Sequence, residues 1–347
     1  LRDFSSSLSR SIHLKVLDLS NCGIKDIQTG FVELCSVLRN TPLKELYLDD
    51  NPFGDDGAKL LSLSLRQNPE LEVLSLKFCK ITPFGITNIL DALDGATKQD
   101  VSASINTNLE KLYIADMSME GENYDIMKDL AIQCSSMIEH NSSLRELDLS
   151  GHYFDTECGM IIMRSLQNNR SLKKLNISYS KRNWHSDQLL LEFFQSNQSI
   201  ASLHLRNHML APENDTDAPL PEHLAYSIPN DDVLQEFFAW NMREQVFNLL
   251  CNGLKSNTMI TLLDLQTMQL TPTTVNYINE VFKDNRTIQE LLLRSSPELD
   301  LSALFITLCK SKLEALTIIN LTREQGLLFI ESLKRFESIH NLTRVSI

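Results

Sequence analysis

The stretch Leu43–Leu71, LKELYLDDNPFGDDGAKLLSLSLRQNPEL, decides how the rest of the chain is read. Leu43, Leu46 and Leu48 form an L-x-x-L-x-L run, the alternation that puts every second side chain on one face of a short strand. Asn51 follows three residues later, where a polar side chain can turn inward and satisfy backbone groups as the chain leaves the strand. After a bend at Gly54 and Gly57, Ala58, Leu61 and Leu65 precede Asn68 by ten, seven and three residues. Those offsets make one stripe on one face of a helix. Leu71 then opens the same phrase again.

The phrase recurs at Leu14, Leu109, Leu144, Leu172, Ile200, Ile260, Ile288, Leu313 and Leu342. Spacings of 28 or 29 residues dominate: 14 to 43, 43 to 71, 144 to 172, 172 to 200, 260 to 288 and 313 to 342. Helical stripes are counted back from the turn asparagines in the same way, with Leu166 and Ile162 before Asn169, and Phe282, Ile278 and Val275 before Asn285. Cys22 and Cys79 stand where Asn51 stands. On these residues the chain resembles leucine-rich repeat proteins, specifically the long-repeat class similar to ribonuclease inhibitor, over essentially its whole length.

The resemblance implies an α/β leucine-rich repeat solenoid of 11–12 repeats, a single domain over residues 1–347. Physical reasoning gives the same shape. One unit cannot bury its own apolar face, so stability comes from stacking. Strands repeat at roughly 4.8 Å and helices at roughly 8–10 Å, which bends the stack into a horseshoe. Its concave wall is a parallel sheet, with convex helices outside.

Interruptions carry the individuality. Extra length falls at Asp94–Asn108, expected as a mobile loop after the helix, and near Met119–Tyr124. Residues 211–232 form an acidic, Pro-rich insertion, expected on the rim where the strands exit, where interaction loops are commonly grafted. Beyond it, Leu234, Phe237 and Ala239 repeat the strand phrase weakly. They are read either as a degenerate twelfth strand at 234–239 or as part of an insertion of about 30 residues in one unit. Residues 1–10 look like the end of a capping helix, and the finish at Ile347, inside a strand phrase, predicts a missing C-terminal segment.

Bulk chemistry narrows the function classes. A formal charge of −13 repels phosphate backbones and anionic lipid, arguing against nucleic acid and membrane and favouring a protein partner with a basic patch. No apolar run is long enough to span a bilayer. Seven scattered cysteines without C-x-x-C spacing suit a reducing, cytoplasmic compartment. Sequons recur, but Asn141, Asn169, Asn197 and Asn285 share one repeat position, which a turn role explains without a glycan.

No catalytic or metal constellation emerges, and no cofactor or small-molecule substrate is evident. His204 and His208 have an i, i+4 spacing, yet His204 sits in a strand phrase where that spacing does not align side chains. His152, Asp155 and Cys158 lie close in sequence, but His152 takes the inward position and Cys158 opens a helix. Asp49, Asp50, Asp55 and Asp56 lack calcium-loop spacing, and Asp55 or Asp56 is expected to cap a helix.

Binding has better support. The outward strand positions place Tyr47 and Tyr113 on the concave face, flanked by Asp18, Asp49 and Asp148. A second aromatic focus joins Phe238 and Trp240 with His204 and Arg206. Aromatic and Arg side chains are the usual anchors of protein interfaces. The expected function is a non-enzymatic protein-interaction scaffold using its concave face and rim loops. Two alternatives stand beside it. One is the sensor or targeting module of a larger protein, such as an innate immune receptor or a bacterial effector in host cells. The other is a leucine-rich-repeat activator of a small GTPase.

Overall fold

A computed structural model describes residues 10–25, 29–68, 70–94, 106, 108–115, 123–152, 154–178, 193–194, 197–205, 231, 233–239, 244–336 and 341–346. The chain forms two compact units, one built on its first six strands and one on the next six.

In unit 1 the strand phrases become β1 (Val16–Asp18), β2 (Glu45–Tyr47), β3 (Val73–Ser75), β4 (Lys111–Tyr113), β5 (Glu146–Asp148) and β6 (Lys174–Asn176). They pair in parallel and in chain order, with Leu17, Leu46, Leu74, Leu112, Leu147 and Leu175 in register. Helices α1 (Thr29–Leu38), α2 (Gly54–Leu65), α3 (Pro83–Asp91), α4 (Tyr124–His140) and α5 (Thr156–Ser165) lie between strands in sequence. The leucine row is buried throughout, as are Ala58, Leu61 and Leu65 of α2. Each such leucine contributes about 1.5–3 kcal/mol relative to exposure.

Unit 2 repeats the plan with β7 (Ser202–His204), β8 (Glu236–Phe238), β9 (Leu262–Asp264), β10 (Glu290–Arg294), β11 (Ala315–Ile319) and β12 (Arg344–Ser346). Its helices are α6 (Glu244–Leu254), α7 (Pro272–Asp284), α8 (Ser302–Lys310) and α9 (Arg323–Arg335). Here Leu203, Phe237, Leu263, Leu291 and Leu316 hold the inward register, and Val345 continues it on β12 but is exposed. The weak phrase at 234–239 is therefore a true strand, because β8 pairs with both β7 and β9. Phe237 fills the leucine position and is fully buried.

Asparagines stitch the turns together. The Asn51 side chain is buried and donates to Leu19 O (2.8 Å) and Leu48 O (2.9 Å) while accepting from the N–H groups of Cys22 and Ile24. A second ladder precedes the strands. Asn169 Oδ1 accepts from Ser171 N (2.9 Å) and Leu172 N (2.7 Å), and its Nδ2 donates back to Ile138 O (2.6 Å) and Asn141 O (3.2 Å). Asn68, Asn106, Asn141, Asn257 and Asn285 do the same. Asp231 takes the accepting half of that role for Val233 N and Leu234 N, and its Oδ2 receives the Asn197 amide at 3.0 Å. The amides of Asn141, Asn169 and Asn285 are thus buried and engaged, which accounts for those sequons as turn residues.

Three expectations are corrected. Neither Asp55 nor Asp56 caps its own helix, since the N-cap of α2 is Phe53 without a side-chain bond. Asp55 instead reaches one repeat forward, accepting from Thr82 N (2.7 Å) and Thr82 Oγ1 (2.6 Å) at the start of α3. A Cβ at Gly85 would lie 2.4 Å from Asp55 Oδ1, so only glycine admits this bridge. Of the two cysteines read as occupying the inward position, Cys79 is buried and points its thiol at Leu48 O (3.1 Å), but Cys22 is exposed. Its backbone N–H is what Asn51 holds, so the contact runs from the next repeat back to it. Finally, Asp94–Asn108 is not wholly a loop: Asp94 is buried against Ser136 Oγ, and Asn106 is a rung of the ladder. Residues 1–9, 95–105, 116–122 and, apart from Asp231, 211–232 lie outside the described residues.

Candidate functional site

Each strand turns two or three side chains away from the helices, and these outward rows are the candidate site. In unit 1 the register sets Asp18, Tyr47, Ser75, Tyr113, Asp148 and Asn176 side by side. The expected group of Asp18, Tyr47, Asp49, Tyr113 and Asp148 is therefore brought onto one face, with Tyr47 and Tyr113 separated by the strand of Ser75.

That face is tied together by side-chain bonds. Asp49 Oδ1 accepts from Ser75 Oγ (2.6 Å) and from Lys77 N (2.8 Å). Lys77 Nζ sits 3.4 Å from Asp148 Oδ2 and 4.8 Å from the centre of the Tyr113 ring. The Tyr113 hydroxyl donates to Glu146 Oε2 (2.8 Å), and Tyr47 donates to Glu45 Oε2 (2.8 Å). The Tyr47 phenol is pushed up first by that carboxylate bond and then by burial; for Tyr113 burial leads and Glu146 follows. Burial works against the Glu146 charge, but bonds from Tyr113 and Lys111 outweigh it and hold the carboxyl below its usual range. Asp18, exposed at the first strand, is lowered by its bonds to Ser20. Lys77, which links the aspartates to Tyr113, is the member the sequence reading left unmarked.

In unit 2 the corresponding row is His204, Phe238, Asp264, Leu292, Thr317 and Ser346. The His204 ring stacks on Phe238 with centroids 3.8 Å apart and planes 14° apart, so this half of the second aromatic focus is formed. Arg206 and Trp240 lie outside the described residues. Asp264 is fully buried and accepts from Gln266 N at 2.9 Å. Half-buried Leu262, Leu292 and Ile319 put apolar side chains on this face, beside Glu236, Glu290 and exposed Arg294. Leu262 stands two residues before Asp264 on the same strand face, and an apolar residue at an outward strand position is the sequence signal that marks it.

The residues weighed for catalysis fall into structural roles. His152 is buried in the turn after β5, and Asp155 caps α5 by accepting from Cys158 N at 2.9 Å. Burial, and then Asp155, push the Cys158 thiol up to about 12, the wrong direction for a nucleophile. Among the described residues no group of three or more His, Cys, Asp or Glu could hold a metal ion. No described helix is long and apolar enough to cross a membrane.

Parallel strands in register on a buried leucine row, alternating with helices and bridged by asparagines, define a leucine-rich repeat protein of the ribonuclease-inhibitor-like class. A family model described as "Leucine Rich repeat" matches residues 10–27, 39–62 and 140–157. Ribonuclease inhibitor of Mus musculus is 30% identical over 163 residues, 40% of this chain and 33% of that protein. Ribonuclease inhibitor of Sus scrofa is 30% identical over 166 residues, 42% of this chain and 34% of that protein. The match thus spans about a third of each inhibitor. Among solved structures, leiomodin-1 actin-binding site 2 aligns with a TM-score of 0.38 and 16% identity, covering 48% of this chain and 87% of that one. A yeast complex of Rad7 and Elc1 aligns at 0.45 with 14% identity, covering 84% and 72%.

Proposed function

We propose that the protein is a non-catalytic interaction scaffold that holds a partner protein on the outward side of its parallel strands and the loops beside them. One observation carries the reading. The inward leucine row already supplies each sheet's core, yet half-exposed Tyr47, Tyr113, Phe238, Leu262 and Leu292 stand on the opposite face. Side chains of that kind on a sheet face whose backbone is already paired are material for an interface core. The charge of −13 favours a partner with a basic patch. All seven cysteines are free, which supports a reducing, cytoplasmic setting. The repeat class of the matched inhibitors supports a binding role in place of an enzymatic one.

The test is alanine substitution at Tyr47, Tyr113, Phe238 and Trp240, followed by capture of partners from native lysate. The expected result is loss of at least one specifically retained protein while the melting transition is kept. Retention of every partner by the folded variant would contradict the proposal.

A further inference from the structure

We infer that the outward face of β8–β11 in unit 2 receives a segment of a partner protein that combines apolar side chains with Lys or Arg. This rests on the interaction reading above and names the chemistry of one contact within it.

The apolar part comes from register. Leu262 lies between Glu236 and Glu290 on neighbouring strands, and Leu292 lies between Asp264 and Thr317. Both leucines are half-exposed, as are Phe238 and Ile319 at the edges of the same patch. They are not needed for the core, because Phe237, Leu263, Leu291 and Leu316 fill the inward side of the same strands. In unit 1 the positions matching Leu262 and Leu292 hold polar, charged or tyrosine side chains, apart from Val16 and Val73.

The charged part comes from what surrounds the leucines. A depression of about 430 Å³ is lined by Glu236, Leu262, Glu290, Glu314, Ala315 and Arg344, among others. Three carboxylates face one cation there, and Arg344 is already bonded to Glu290 (2.6 Å). At the N-terminal strand ends of unit 1 the excess is smaller, with two cations, Lys44 and Arg145, against three carboxylates, Glu70, Glu72 and Glu110. Leu262 lines this net acidic depression, and Phe238, Leu292 and Ile319 stand further along the same strand face, so the favoured occupant is both apolar and basic. An acidic segment would bring like charges together in a partly desolvated site.

Panning a random peptide library displayed on phage against the intact chain tests this directly. The expected winners combine Leu, Ile or Phe with Lys or Arg. Their affinity should fall at least about tenfold in Leu292→Asp, and again in Glu236→Lys/Glu314→Lys, while Phe84→Ala on the exposed side of α3 leaves it unchanged. If Leu292→Asp does not melt cooperatively, Leu262→Ser supplies the same readout. Acidic winners, winners indifferent to Leu292→Asp, or no winners at all would overturn the inference. So would a dimer of the chain that Leu292→Asp converts to monomer, since the face would then be covered by a second copy. Peptides lost in Tyr47→Ala/Tyr113→Ala but kept by Leu292→Asp would overturn this inference and leave the interaction reading standing.

Discussion

Unit 1 and unit 2 share an inward architecture and differ on the side that faces away from the helices. In both, parallel strands present one apolar residue each to the core, in register from strand to strand, except at β12, where Val345 is exposed. In unit 1 the outward side chains are bonded to one another, from Tyr47–Glu45 through Asp49–Ser75 and Lys77–Asp148 to Tyr113–Glu146. In unit 2 the same positions offer Phe238, Leu262 and Leu292. The lesson is that stacking constrains only the inward half of the repeat. The outward half is free to become a fixed polar surface in one region and an apolar one in another.

The comparison can be broken most easily at its shared half. Leu147→Ala and Leu291→Ala occupy equivalent inward positions, and each should lower stability by about 2–5 kcal/mol in denaturant unfolding. A small cost in one unit alone would show that the two cores are not equivalent. Next in size is Asn169→Ala. It strands the N–H groups of Ser171 and Leu172 and the carbonyl of Ile138, leaves Asn141 O to the Ser171 hydroxyl, and should cost about 2–3 kcal/mol by the same measurement. Smaller effects sharpen the outward difference. Lys77→Met removes the contact to Asp148 and the ring of Tyr113 and should cost about 1 kcal/mol, discounted for its partial exposure. Leu292→Ser in unit 2 should lower stability by about 0.5–1 kcal/mol, well below Leu291→Ala, because its side chain lies outside the fully buried row. Smallest and opposite in sign is Phe78→Gly. Phe78 holds φ +56° at a rim position where Asn21, Asp50 and Gly151 are also left-handed, so glycine should raise stability by about 0.5 kcal/mol.

Much of this was legible in the sequence, because a repeat announces itself by period. The strands, the inward leucines, the helix stripes and Asn51 all follow from spacing alone. What spacing could not supply was any contact joining different repeats. Asp55 reads locally as a helix cap, but its partner is Thr82, one repeat on. Asn106 and Asp231 hold turn positions that become visible only once the long insertions before them are set aside. Glu45 lies two residues from Tyr47 on the same strand face, so that bond could have been foreseen. Glu146 reaches Tyr113 from the neighbouring strand, so that one could not. The first aromatic focus was found because tyrosines are conspicuous. The leucines of unit 2 were hidden among the many leucines that serve the core.

Hydroxyl-radical footprinting of the chain with and without a captured partner tests the central claim most directly. The account predicts that a bound partner shields outward side chains such as Tyr47, Tyr113, Phe238, Leu262 and Leu292. Exposed residues on the helices, such as Phe84, Ile132 and Leu327, should keep their reactivity. Protection of the helix residues with unchanged labelling of the outward rows would contradict it.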